Sequence, residues 1–150
     1  MVAWGLIYPH WMSAVWYEKH GYVEADRLLY DVLVWKPFTE DAEAPRWLRP
    51  RKTSAPVPGK VVVTAFVTHW CPGLSEASDA RRAAAEFGDC VVYQEIGTSD
   101  PIKLHEWGIE AALYIDDECI NAGITDYPPP SYEDIKQKIQ QHLERTKNNG

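Results

Sequence analysis

The chain has 150 residues, 45% of them apolar and 25% charged, which fits one ordinary domain or two very small ones and excludes wholesale disorder. No apolar run approaches the roughly 20 residues of a membrane helix, and residues 1–9 lack the basic start and long apolar stretch of a secretory signal. The formal net charge of −7 disfavours nonspecific binding to nucleic acid or anionic membranes, so neither is expected as a partner. Three cysteines, Cys71, Cys90 and Cys119, are too few and too scattered for a disulfide framework or a zinc site, and no metal is expected. The expectation is a soluble, cytoplasmic protein.

Residues 1–44 read as a small α+β segment. A strand is expected over 4–8 and a short amphipathic helix over 11–20, carrying Met12, Val15, Trp16 and Tyr17 and ended by Gly21. Strands follow over 22–27 and 30–36. A helix and two or three strands of this length bury little surface alone. Residues 45–59 carry four prolines and no helical or strand period, and proline fixes φ and lacks a donor, so an extended linker is expected there. Residues 1–52 hold seven basic and seven acidic residues, and residues 53–150 hold eight and fifteen. The acidic excess therefore belongs to a second domain, placed at residues 60–150.

That second part has clear boundaries. Residues 61–67 form a β-branched apolar run suited to a buried strand. Pro72 suits the first turn of a helix in which Leu74, Ala77, Ala80, Ala84 and Phe87 recur at spacings of three and four, with Gly88 as the stop. A second strand is expected over 90–96. Asp100 and Pro101 open a second helix carrying Ile102, Leu104 and Trp107, which stops at Gly108. Residues 112–115 and 119–122 read as a hairpin turning through Asp116-Asp117-Glu118. Pro128-Pro129-Pro130 reads as a rigid lead-in to a last helix, which Ser131 caps with Asp134 in capping-box position and which carries Ile135, Ile139 and Leu143. The order is βαβα-ββα. Strands joined through a helix run parallel, and the hairpin adds an antiparallel edge. Cys90 and Cys119 fall in expected strands and read as small buried core residues.

This order over about 90 residues resembles the thioredoxin fold, and Thr68-His69-Trp70-Cys71-Pro72-Gly73-Leu74 strengthens the likeness. A thioredoxin has a Trp-Cys pair at the same strand-to-helix corner. A cysteine at a helix N-terminus meets unpaired N–H groups that favour the thiolate. The resemblance makes Cys71 a candidate thiol, with Trp70 and His69 beside it; His69 reads as a base, an ion partner or a plain surface residue. The second sulfur that would resolve a mixed disulfide is absent, because Leu74 stands there. The proline expected before the third strand is absent from Gly108-Ile109-Glu110-Ala111-Ala112-Leu113. The glycine-containing motif of monothiol glutaredoxins is also unmatched. The corner reads as a non-redox fold with an incidental thiol, or as a monothiol site.

Trp16-Tyr17-Glu18-Lys19-His20-Gly21-Tyr22 resembles the Tyr-Glu-Lys-x-Gly-Phe/Tyr motif of GNAT acetyltransferases, where it ends the helix before the last two strands. Tyr17 matches the tyrosine that serves many members as general acid toward the coenzyme thiolate; the alternative is a core or interface tyrosine. The Gln/Arg-x-x-Gly-x-Gly/Ala loop that holds the coenzyme pyrophosphate at a helix N-terminus does not occur in this chain. A GNAT end, a proline-rich linker and a Trp-Cys-Pro corner without its second cysteine together resemble GNAT proteins with a YoaP-like C-terminal domain. The resemblance implies the C-terminal part of an acyl-CoA-dependent N-acetyltransferase, a truncated or split form. No cofactor is expected for the chain alone, and acetyl-CoA is expected in a complete enzyme. The acyl acceptor, a small-molecule or protein amine, is not specified. The rival classes are a monothiol redox or thiol-transfer protein acting through Cys71, and a non-enzymatic protein-binding module. A sheet cut from a larger one leaves Trp4, Ile7, Trp16, Val32 and Val34 uncovered. Residues 1–38 are therefore expected to pack on the second domain or on a second copy, most simply as a homodimer centred on the tryptophan-rich helix and the strand at 32–35.

Overall fold

The structure is a computed structural model of the chain and describes residues 1–6, 13–28, 31–69, 74–122 and 128–148. Among these residues the architecture is mixed α/β, with two sheets and four α-helices. The chain divides into two compact units, Met1–Leu48 and Arg49–Gly150.

In the first unit β1 (Val2–Leu6), α1 (Ala14–Lys19), β2 (Val23–Leu28) and β3 (Asp31–Trp35) follow one another. The sheet is antiparallel, and β3 lies between β1 and β2. Strand alternation turns Val32 and Val34 to one face, where Ala14 of α1 joins them in a small buried cluster packed by Ala3, Tyr17 and Tyr22. The expectation that Val32 and Val34 lack cover is thereby corrected, because α1 lies across their face and its small Ala14 permits close approach. The expected helix face is corrected as well. Ala14 and Tyr17, three residues apart, face the sheet, and Val15 and Trp16 point away, Trp16 with 57% of its surface exposed. Trp11 and Met12, Ile7 and Tyr8, and the side chain of Trp4 lie outside the described residues.

The proline-rich stretch is extended but bonded. The Trp47 N–H donates to Asp26 Oδ2 at 2.9 Å, inside the first unit. Inside the second, the Arg51 N–H donates to the Trp107 carbonyl at 2.9 Å. Lys52 pairs with Glu106 and sits 4.1 Å over the Trp107 ring. Ser54 Oγ lies 2.6 Å from Thr64 Oγ1 and accepts from Gln94 Nε2 at 2.8 Å. A stretch expected as an extended linker is thus extended and is hydrogen-bonded within each unit.

The second unit runs β4 (Val61–Val67), α2 (Leu74–Glu86), a 3₁₀ turn (Gly88–Cys90), β5 (Val91–Gly97), α3 (Pro101–Trp107), β6 (Ala112–Ile115), β7 (Glu118–Asn121) and α4 (Tyr132–Asn148). The sheet order is β5-β4-β6-β7, with β4 and β5 parallel and the other pairs antiparallel. All seven residues of β4 are buried, as a strand covered on both faces requires. Val61, Val63 and Ala65 pack on Ala77, Ala80 and Ala84 of α2 and on Ile135 and Ile139 of α4. Phe66, on the alternate face, meets Trp107 and Tyr114 edge-on.

Local end signals act as expected in α3 and α4. Asp100 Oδ1 accepts the Ile102 N–H at 2.9 Å, Pro101 opens α3, and Gly108 closes it at φ 69°. Asp134 Oδ2 accepts the Ser131 N–H at 2.9 Å, and Ser131 Oγ accepts the Asp134 N–H at 3.3 Å. Three expectations are corrected. Ile102 is 77% exposed, because a seven-residue helix turns only Leu104 and Trp107 inward. Cys90 and Cys119 are exposed, not core. Cys90 lies in the 3₁₀ turn before β5, and Cys119 lies on the outermost strand β7, which has no neighbour on its far side among the described residues.

Candidate functional site

Tyr17 is held by the way α1 ends. The N–H groups of His20 and Tyr22 both donate to the Tyr17 carbonyl, at 2.9 and 3.2 Å, and the Gly21 N–H donates to the Glu18 carbonyl at 3.0 Å. Gly21 adopts φ 82°, which glycine reaches without the Cβ penalty and which turns the chain into β2. The Tyr17 ring is half-buried and meets Trp16 and Tyr22 edge-on, with centroids 5.2 and 5.5 Å apart. The ring is therefore anchored by the helix below it and by two aromatic neighbours. His20 stacks on Trp16 at 4.1 Å, and its Nδ1 lies 2.7 Å from the Trp16 carbonyl.

The second candidate site lies where the parallel strands β4 and β5 end, the side of an open α/β sheet at which ligand sites collect. The Thr98 N–H donates to the Val67 carbonyl at 2.8 Å. Thr98 Oγ1 donates to the same carbonyl at 3.1 Å and also bonds the Glu110 carbonyl. The His69 N–H donates to Ser99 Oγ at 3.0 Å. These bonds bring the end of β4, the end of β5 and the segment before β6 together, with Thr68 and Thr98 buried and His69 exposed. Glu76 stands in the first turn of α2, at this end of the sheet. Desolvation raises the carboxyl pKa of half-buried Glu76 and of Glu110, whose residue is exposed, from the ordinary glutamate value. Trp70, Cys71, Pro72 and Gly73, the residues on which the thiol expectation rests, lie outside the described residues. His69 and Glu110 belong to one corner, and Tyr17 belongs to the other unit.

A third constellation was not anticipated from sequence. His142 of α4 is buried, with Nδ1 2.8 Å from Asp116 Oδ2 and Nε2 3.0 Å from Glu118 Oε2. Lys138 Nζ donates to Glu118 Oε1 at 2.7 Å. The Lys138 hydrogen bond first, then that of His142, draws the Glu118 carboxyl down to about 2. The available signal was the four-residue spacing of Lys138 and His142 on one helix face, opposite a turn rich in acids.

Among the described residues no group of three or more His, Cys, Asp or Glu side chains is arranged to hold a metal ion, and no helix is long and apolar enough to cross a membrane. No family model matches the chain, and no curated protein matches it.

Proposed function

We propose that the chain is the C-terminal part of an acyl-CoA-dependent N-acetyltransferase followed by a thioredoxin-like unit, and that it is not catalytically competent alone. The observation that carries this reading is the arrangement around Tyr17. A helix ends in Tyr17-Glu18-Lys19-His20-Gly21-Tyr22, leaves through a left-handed glycine and enters the antiparallel pair β2–β3. In the transfer, the amine nitrogen bonds the acetyl carbon, the carbon–sulfur bond breaks, the Tyr17 hydroxyl gives its proton to the departing sulfur, and the proton shed by the nitrogen passes to solvent, which reprotonates Tyr17. The sheet order β5-β4-β6-β7, with one parallel pair and a terminal hairpin, supports the thioredoxin-like half.

The chain contains no glycine-rich pyrophosphate loop. Calorimetric titration with acetyl-CoA is therefore expected to show no binding, and a micromolar complex would overturn that part. When a polypeptide carrying the loop is supplied, acetyl transfer to amines is expected, and Tyr17→Phe should lower kcat by about a hundredfold or more. An unchanged kcat would remove Tyr17 from the mechanism.

A second reading, thiol chemistry at Cys71, is favoured by one observation: Thr98 ties the segment before β6 to the end of β4, directly before the Trp70-Cys71 pair in sequence. Cys90 and Cys119 are exposed, so the test uses the doubly serine-substituted chain. The pH dependence of Cys71 alkylation should then place the thiol clearly below the roughly 8.5 of a free cysteine. A value near 8.5 would end the redox reading.

Association as a two-fold dimer through residues 1–38 belongs to the same proposal. Val2, Val15, Trp16 and Val23 stand exposed in the first unit, and such surface favours a partner. Sedimentation equilibrium should show a dimer, and a strict monomer would refute it.

A further inference from the structure

His142 lies in the second half of α4 with 6% of its surface exposed. Asp116 and Glu118 face its two ring nitrogens from the β6–β7 hairpin. Asp116 is itself fixed from β4, where its Oδ1 accepts the Val62 N–H at 2.8 Å and its own N–H donates to the Val62 carbonyl at 2.7 Å. Lys138 and Arg145 of α4 face Glu118, at 2.7 and 3.6 Å. On the other side of α4, Glu86 of α2 is engaged by Lys136 and Tyr132.

A neutral imidazole has one N–H and one lone pair. In this bridge the bare nitrogen of a neutral ring would set its lone pair against a carboxylate oxygen. Only the imidazolium donates to both. We propose that His142 is a proton-operated clamp: doubly protonated, it ties α4 to the β6–β7 hairpin, and loss of one proton loosens the second half of that helix. Burial of the ring keeps water from its bare nitrogen, while the Asp116 and Glu118 carboxylates, 32% and 36% exposed, regain water, so the lost contact is felt in part. The second ring proton completes the bridge, so the docking of α4 weakens as pH rises and that proton leaves. Ile139, on the same face one turn earlier, is fully buried, so the loosened helix exposes part of the core.

Long-range ¹H–¹⁵N spectra should find both ring nitrogens of His142 protonated at about pH 6, where histidine titration begins. Hydrogen exchange of amides 139–147, corrected for intrinsic rates and referred to α2, should lose about tenfold in protection by about pH 8, the size of one charged hydrogen bond. A singly protonated ring at the lower pH, or α4 protection that follows α2 at both, would overturn the clamp. His142→Gln should show the lower protection at both pH values. If that variant does not fold, Glu118→Gln decides, because its amide accommodates either form of the ring and should flatten the pH response. A parent-like pH response in the folded variant refutes the proposal.

Discussion

Gly108 meets three demands at one position. Its N–H closes α3 on the Leu104 carbonyl at 2.8 Å, its φ is 69°, and a Cβ there would run into the Arg49 carbonyl. Gly108→Ala should cost about 1–2 kcal/mol from the left-handed backbone alone, and more from displacing the Arg49 backbone. Chemical denaturation checks this, and a loss below about 0.5 kcal/mol, the range of a neutral surface change, would show that the Arg49 segment yields freely. Glu118 supplies a test in acid. Its carboxyl falls from 4.5 to about 2 on folding, first through Lys138 and then His142. A depressed carboxyl stabilises the fold above its unfolded value, and that contribution disappears as pH drops from about 4.5 toward 2. The stability gap between the parent and Glu118→Gln should therefore narrow across that window, and a constant gap would contradict the assignment. The glycine stop was legible in the sequence because a helix end is a local event. The Glu118–His142 pair was not, because 24 residues separate its members and only the packing of α4 on the hairpin brings them together.

The elements divide by how much of their pattern is their own. The strand expected over 61–67 is observed as β4, since seven consecutive β-branched and apolar residues leave little choice where both faces are covered. The capping box of α4 is equally local, and its four-residue apolar spacing puts Ile135 and Ile139 at full burial. Short helices behave differently. In α1 and α3, six and seven residues long, periodicity is too brief to choose a face. Trp16 and Ile102, the obvious apolar anchors, point outward, and Ala14, Leu104 and Trp107 point in. Ile139→Ala should lose about 2–5 kcal/mol through the cavity it leaves, whereas Ile102→Ala should stay within about 0.5 kcal/mol. Comparable losses from the two substitutions would mean that Ile102 is buried after all.

The two units carry unequal cores. In the first, Ala14, Val32 and Val34 form the buried cluster, and in the second two helices close over a four-stranded sheet. Less apolar burial means less stability to offset chain entropy. Five tryptophans, Trp4, Trp11, Trp16, Trp35 and Trp47, belong to the first unit, and the long helices α2 and α4 belong to the second. Tryptophan fluorescence should therefore lose its native signal at lower denaturant than the far-ultraviolet helix signal. Coincident transitions would show a single cooperative molecule and would refute the independence of the two cores.

Element order, the parallel relation of β4 and β5, the hairpin and the end signals of α3 and α4 were legible in the sequence, because each depends on neighbours within a few residues or on a chain that must cross over to continue its sheet. Tertiary structure decided the rest. It set which face of α1 packs, the exposure of Cys90 and Cys119, the bonding of the proline-rich stretch and the meeting of His142 with two carboxylates. Each of these depends on groups far apart in the chain, and their energies exist only once the sheet and its helices have closed around one another.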